Sequence, residues 1–218
     1  MSESKCESSS WSQKLPIDIA RRGPVPPAKQ CMHVKYYCEE NVWKLCEAVN
    51  IDRPEELEFC SVVFISNEDR AVPIWHQKIG KPDEPVVWDY HVIFLWRLEG
   101  ESYVYDLDSS LPFPCKLEMY INEAIKTDDI LQPQYHRFFR VIDAKIYLRH
   151  FASNRKHMLD STGAWRQEPP PYPCIRTEQT DSNFQDFLSL DPNIGYGTIF
   201  SLKSFIKKYA LHENNGLS

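Results

Sequence analysis

Between Val86 and Asp108 the chain reads VVWDYHVIFLWRL, then a break at LEGES, then SYVYDLD. β-Branched and aromatic residues dominate both runs, as they do in strands. The break, centred on Glu99 and Gly100, is short enough to join the runs as an antiparallel hairpin. An even-numbered loop centred there pairs Leu98 with Glu101 and, counting outward, His91 with Asp108. Side chains two apart share a face, so Asp106 lies diagonally beside His91, and Asp89 shares the face from the other direction.

The rest of the chain must fit around that hairpin. SVVFIS, from Ser61 to Ser66, is a further strand by the same criteria. From Glu39 the run EENVWKLCEAV places Val42, Leu45, Cys46 and Val49 at helical spacing, with two acids where a helix N-terminus favours them. A helix is therefore expected just after Cys38. Helical spacing recurs in YINEAIK (Tyr120 to Lys126) and in AKIYLRHFASNRKHM (Ala144 to Met158), the latter with Ile146, Tyr147 and His150 on one stripe. GYGTIFSLKSFIKKYAL reads as a strand and then a helix capped by Ser201 or Ser204. A leading helix followed by a central antiparallel sheet defines an α+β class.

Residues 1–32 combine a Ser-rich start with PVPP at Pro24 to Pro27 and show no sustained apolar period, so they are expected to form a flexible tail. One domain is expected over 33–212, with a short tail at 213–218. QEPPPYP, from Gln167 to Pro173, reads as a stiff extended connection and, less readily, as a ligand for a proline-recognition domain.

At 218 residues and 42% hydrophobic content, the chain is in the size range of one buried core. No apolar run approaches the ~20 residues that span a bilayer, and MSESKCESSSWSQK lacks the hydrophobic stretch of a secretory signal, so a soluble intracellular protein is expected. A net charge of -6 gives no electrostatic footprint for nucleic acid. The seven cysteines are odd in number and lack the paired spacing of a disulfide scaffold or zinc ribbon, which favours free thiols in a reducing compartment.

Cys38 stands just before a helix, where unpaired backbone N–H groups and the dipole favour a thiolate. By contrast, Cys46 on the buried stripe reads as core. A strand histidine faced by an aspartate has its tautomer fixed and its imidazolium stabilised, and here both Asp106 and Asp108 face His91. Asp89 reads as a surface or structural carboxylate, and Glu39 and Glu40 as helix-stabilising acids. HExxH and CxxC are absent and the histidines are dispersed, so no metal is expected. The chain also lacks GxSxG, a Walker loop and GxGxxG.

Several segments carry a close resemblance to a known family: YCEENVWKLCE (Tyr37 to Glu47), VFISNE (Val63 to Glu68), PVVWDYHVIFL (Pro85 to Leu95) and YDLDSSLPFPC (Tyr105 to Cys115). With FRVIDAKIYLRHFASNRKHM and EPPPYPCI, the chain from about Tyr36 to Phe205 resembles the protein N-terminal glutamine amidohydrolases. The resemblance implies Cys38 as nucleophile, His91 as base and Asp106, rather than Asp108, as the third member. It also implies an α-β-α sandwich related to transglutaminase-like and papain-like cysteine enzymes, active as a monomer without metal or cofactor. Its implied substrates are proteins or peptides with an unblocked N-terminal Gln, which becomes Glu. An arginyltransferase would act downstream, leading to degradation, in the cytoplasm and with nuclear access open. GYG at Gly195 to Gly197 departs from an expected GWG. Restriction to a terminal residue demands recognition of its ammonium group, for which Asp89 and Glu40 are the candidates.

Overall fold

The computed structural model describes residues 23–81 and 83–211; the expected tail residues 1–22 and 213–218 lie outside them. Helix α1 (Cys38–Asp52) leads, followed by β1 (Cys60–Ser66), β2 (Val72–Ile74), β3 (Val86–Trp88), β4 (His91–Leu98), β5 (Glu101–Tyr105) and β6 (Cys115–Lys116). Then come α2 (Leu117–Tyr120), β7 (Phe138–Asp143), α3 (Ala144–His150), α4 (Phe184–Leu188), β8 (Thr198–Ser201) and α5 (Leu202–Tyr209). Among the described residues the main sheet has six strands in the order β6-β5-β4-β1-β7-β8, every pairing antiparallel. The fold is thus mixed α and β around a mainly antiparallel sheet.

Alternation along the strands divides the core. Val62 and Phe64 of β1 and Val92, Phe94 and Trp96 of β4 pack on one face, against α1, α3 and α4. Val63 and Ile65 of β1 and Ile93 and Leu95 of β4 pack on the other, against α2 and α5. The period of two makes both faces apolar, which requires helices on each side. On α1, Val42, Leu45, Cys46 and Val49 are all buried, as the helical spacing predicts.

The hairpin closes in the expected register: Leu98 pairs with Glu101 across Glu99 and Gly100, which take φ of 51° and 86°. Positive φ at both loop residues is the geometry whose twist matches flanking strands. The run from Val86 to Leu98, expected as one strand, is two. β3 pairs with β2 in a separate small sheet, and the chain bends at Asp89 and Tyr90 before His91 opens β4. Likewise β5 stops at Tyr105, because the Asp106 carboxylate turns back to accept from the Asp108 backbone N–H at 2.9 Å.

Two expected helices differ in extent, the first beginning earlier, at Leu117, and the second ending sooner. YINEAIK is the wide π-type turn Ile121–Ile125 continuing α2. The helix expected from Ala144 to Met158 ends at His150, where the Asn183 side chain donates to the His150 carbonyl at 2.6 Å and accepts from the Ala152 N–H at 2.8 Å. Those two bonds satisfy groups that a longer helix would use internally. At the C-terminal end, Ser201 caps α5 by accepting from the Ser204 N–H, and Leu202 and Phe205 are buried. Part of the span 23–32, expected as tail, packs on the domain: Val25 joins the core, Ala28 and Cys31 lie against it, and the Arg53 guanidinium donates to the Gly23 carbonyl at 3.1 Å. No helix among the described residues is long and apolar enough to cross a membrane.

Candidate active site

Cys38 is the first residue of α1, and it lies near the start of β4 because α1 packs across that strand. The chain entering α1 is pinned by Asn41, whose side chain accepts from the Val34 N–H and donates to the Val34 carbonyl, both at 2.8 Å. Tyr36 takes φ of 68°, a left-handed turn that swings the chain into the helix. Cys38 is 7% exposed, and that residual face opens into a cavity of about 210 Å³ also lined by Tyr36, Trp88, Asp89, Asp108 and Arg166.

The bend before β4 and the turn after β5 bring the histidine and both aspartates together. His91 Nε2 lies 3.1 Å from Asp106 Oδ2, both residues buried. Side-chain ligand atoms of His91, Asp106 and Asp108 all fall within 4.8 Å of one another. The contact with Asp106 is close but off the line of a hydrogen bond, so both His91 ring nitrogens are buried without a hydrogen-bond partner among the described residues. Asp106 is itself held firmly: Oδ2 accepts from Tyr120 Oη at 2.8 Å and from Gln77 Nε2 at 3.4 Å, and Oδ1 accepts from the Asp108 N–H. Asp108 pairs at 2.8 Å with His33 Nε2. The Trp88 ring stacks on His91 with centroids 5.4 Å apart, and Tyr36 packs edge-on against Trp88.

Electrostatics oppose the simple expectation for Cys38. Burial pushes its thiol well above 9.0, the Glu39 and Asp108 carboxylates push further, and the backbone N–H of Val92 only partly offsets them. Helix position alone therefore does not make the resting thiol acidic, because the dipole acts over one turn while three carboxylates face the sulfur. For His91, burial works against the charged form, but Asp106 first and then Asp108 and Glu39 outweigh it and raise its pKa above 6.5. Burial pushes Asp106 up, yet His91, Tyr120 and the Asp108 N–H hold it down to about 2. The same carboxylates thus favour a proton on the imidazole and oppose a lone thiolate.

Glu39 and Glu40 occupy different settings. Glu40 is fully buried, with both oxygens taken by Arg155: Nε to Oε1 at 2.8 Å and Nη2 to Oε2 at 2.7 Å. That bidentate pairing leaves Glu40 no free oxygen facing the cavity. Glu39 is equally buried; Oε2 accepts from Tyr90 Oη at 2.9 Å and from the Cys38 thiol at 3.8 Å, and Oε1 lies 3.5 Å from His157 Nε2. Asp89 is exposed at the bend and lines the cavity. Gln167, at the start of the QEPPPYP segment, lines it too: its carbonyl accepts from Tyr37 Oη at 3.2 Å, and Arg155 donates to the Pro170 and Tyr172 carbonyls. The segment is therefore a pinned wall of the cavity, in keeping with the stiff connection expected of it.

His33, Gln77, Tyr120, Arg155 and His157 were not singled out as site residues in the sequence, since none stands at a diagnostic spacing from Cys38. Trp88 and Tyr90 sit inside the quoted WDYH segment, which was the one available signal. The six cysteines among the described residues are all free thiols. A three-residue cluster of His91, Asp106 and Asp108 is the one grouping among the described residues able to offer a metal three ligands. Its oxygens are largely committed to Tyr120, His33 and the Asp108 N–H.

A family model described as N-terminal glutamine amidase matches residues 33–209. The chain is 50% identical over 187 residues to the protein N-terminal glutamine amidohydrolase of Danio rerio, covering 85% of this chain and 93% of that protein. It is 48% identical over 185 residues to the protein of the same name from Homo sapiens, covering 84% and 90%. Against its Drosophila melanogaster namesake it is 46% identical over 186 residues, covering 84% and 91%. A match over most of the described chain, in step with relatives at close to half identity, establishes that this chain belongs to the N-terminal glutamine amidase family.

Proposed function

We propose that this protein hydrolyses the side-chain amide of an N-terminal glutamine, giving N-terminal glutamate and ammonia, with Cys38 as nucleophile, His91 as acid and base, and Asp106 orienting the imidazole. The observation that carries the reading is a buried thiol at a helix N-terminus that shares a small cavity with Trp88 and Asp108, the two residues that stack on and cluster with a histidine held against a buried carboxylate. Family membership supplies the substrate.

In the reaction, the Cys38 proton passes to His91, where the carboxylates stabilise it, and the sulfur attacks the amide carbon. The tetrahedral oxyanion is held by backbone N–H groups at the start of α1, that of Cys38 among them. His91 gives its proton to the departing ammonia, leaving a thioester on Cys38. Neutral His91 then activates a water, which hydrolyses the thioester and regenerates the thiol. Asp106, fixed by Tyr120 and Gln77, holds the ring throughout.

Asp89 is the carboxylate that would receive the substrate's ammonium, since it lines the cavity while Glu40 is consumed by Arg155. Three further parts belong to the same proposal. The core is related to papain-like and transglutaminase-like enzymes. The protein works as a cytoplasmic monomer with nuclear access. Its product feeds an arginyltransferase and degradation.

Mass spectrometry of a Gln-initiated peptide incubated with the protein tests the activity: a gain of about one dalton confined to residue one is expected. Cleavage of the chain or incorporation of an added amine would point to a protease or transglutaminase instead. Near wild-type ammonia release from Cys38→Ala would overturn the assignment of the nucleophile. Acetylation of the peptide's amine is expected to abolish turnover, and unchanged turnover would remove Asp89 from its role.

A further inference from the structure

The cavity over Cys38 has a larger neighbour. It shares four wall residues, Asp89, Tyr90, Met158 and Arg166, with a second cavity of about 680 Å³. That volume is well inside the ~300–1,000 Å³ range of ligand pockets, and it is too large for the single side chain that reacts at the thiol. The two therefore adjoin along that wall, the small one at the sulfur and the large one away from it.

The walls of the wide part are built firmly. On one side Asn67 donates to the Ala71 and Gln134 carbonyls at 2.8 and 2.9 Å and accepts from the Ala71 N–H. On the other, Arg140 donates to the Ser189 and Asp191 carbonyls and so fixes the loop after α4. The floor is aromatic: His157 stacks on Phe184 with centroids 4.4 Å apart, and Tyr90 packs against the same ring at 5.1 Å. Beyond the shared wall, the charged lining groups are Glu68, Asp191 and Arg70, and Arg70 donates to Gln185 Oε1 at 3.4 Å across the recess.

We infer that the wide cavity is the binding site for the substrate's polypeptide chain from its second residue onward, and that Glu68 and Asp191 make it favour basic side chains there. The inference rests on the glutamine reading above. With the first side chain directed at Cys38 and its ammonium at Asp89, the next peptide bond leaves along the wall that both cavities share. Arg166 on that wall is placed to donate to the carbonyls of the departing chain. The aromatic floor accepts side-chain area, and the two carboxylates outnumber the one guanidinium.

The test compares Gln-initiated peptides of two and six residues, the longer ones carrying either Lys or Glu at positions two to four, with wild-type protein and Glu68→Lys. Expected are a rise in kcat/KM with length and a preference of about two- to fivefold for Lys over Glu, the range of a solvent-screened charge pair. Glu68→Lys should erase or invert that preference. A length series that is flat, together with a Lys to Glu ratio that Glu68→Lys leaves alone, overturns the cleft while the deamidation of the dipeptide stands. If no peptide is deamidated, the glutamine reading fails, and fluorescence anisotropy of the labelled hexapeptides on Cys38→Ala decides the cleft. Affinity that Glu68→Lys shifts supports it, and affinity that it does not shift overturns it.

Discussion

Two kinds of buried polar group share this small molecule, and they differ in whether their hydrogen bonds are complete. Arg137 and Arg155 are buried, and their donors are consumed. Arg137 meets Asp128 at 2.9 and 2.6 Å and the Pro73 carbonyl at 3.0 Å, while Arg155 meets Glu40 twice and two carbonyls of the proline-rich segment. Near the candidate site the bonding is looser: both nitrogens of His91, Oε1 of Glu39, Nε2 of His157 and Nε1 of Trp88 are buried with no hydrogen bond among the described residues, and the closest approaches are the ion-pair contacts of His91 with Asp106 at 3.1 Å and of His157 with Glu39 at 3.5 Å. Leaving a buried polar atom unmatched costs ~1–3 kcal/mol. The arginines stitch loops to the sheet, and the looser set includes the imidazole that the proposed mechanism uses. Satisfied groups should therefore matter to stability, and unsatisfied ones to rate.

His91→Asn should separate the two kinds most widely. We expect deamidation to fall by about a thousandfold or more while the thermal midpoint stays within a few degrees, read by ammonia release and circular dichroism. A large loss of stability would place His91 with the arginines. Asp106→Asn comes next, with a rate loss of about 10²–10⁴, because the ring loses its orienting carboxylate but keeps its place under Trp88. Full activity in that variant would remove Asp106 from the mechanism.

Arg137→Ala should do the opposite. Removing one partner of a buried pair costs about 3–5 kcal/mol, so denaturant unfolding should shift strongly while the folded fraction keeps its specific activity within about tenfold. The smallest effect is on pH. Since the pKa values of both His91 and Cys38 are raised, the form with one proton shared between them lies on the alkaline side of an ordinary pair. The kcat/KM profile should rise above pH 6.5 and fall only above 9.0. Asp108→Asn removes a charge that raises both groups, so both limbs should move to lower pH, and a profile that does not move would show that Asp108 is screened from the pair.

Much of this was legible in the chain. The hairpin register followed from the position of one short loop, and it placed both aspartates on the side of His91 before any tertiary information. It set Asp108 across from His91 and Asp106 diagonally beside it without choosing between them, whereas β5 ends at Tyr105 and the turn beyond it lays Asp106 against the imidazole. Periodicity assumes that a strand continues, and a side chain bonding to its own backbone ends one without changing the pattern. The same holds for the Val86 to Leu98 run, divided by a bend that puts Asp89 at the cavity, and for α3, cut short by Asn183 from more than thirty residues away.

The sequence by itself determined the helix that begins at Cys38, the strand that carries His91, and the two-faced apolar sheet, because these depend on spacing within one segment. Only the tertiary structure decided that Glu40 belongs to Arg155, that burial and carboxylates set the charge of Cys38 against the helix dipole, and that Asp89 stands where two cavities meet. Each of those depends on contacts between segments far apart in the chain. Desolvation and Coulomb forces act on distances in space, which no local pattern of residues encodes.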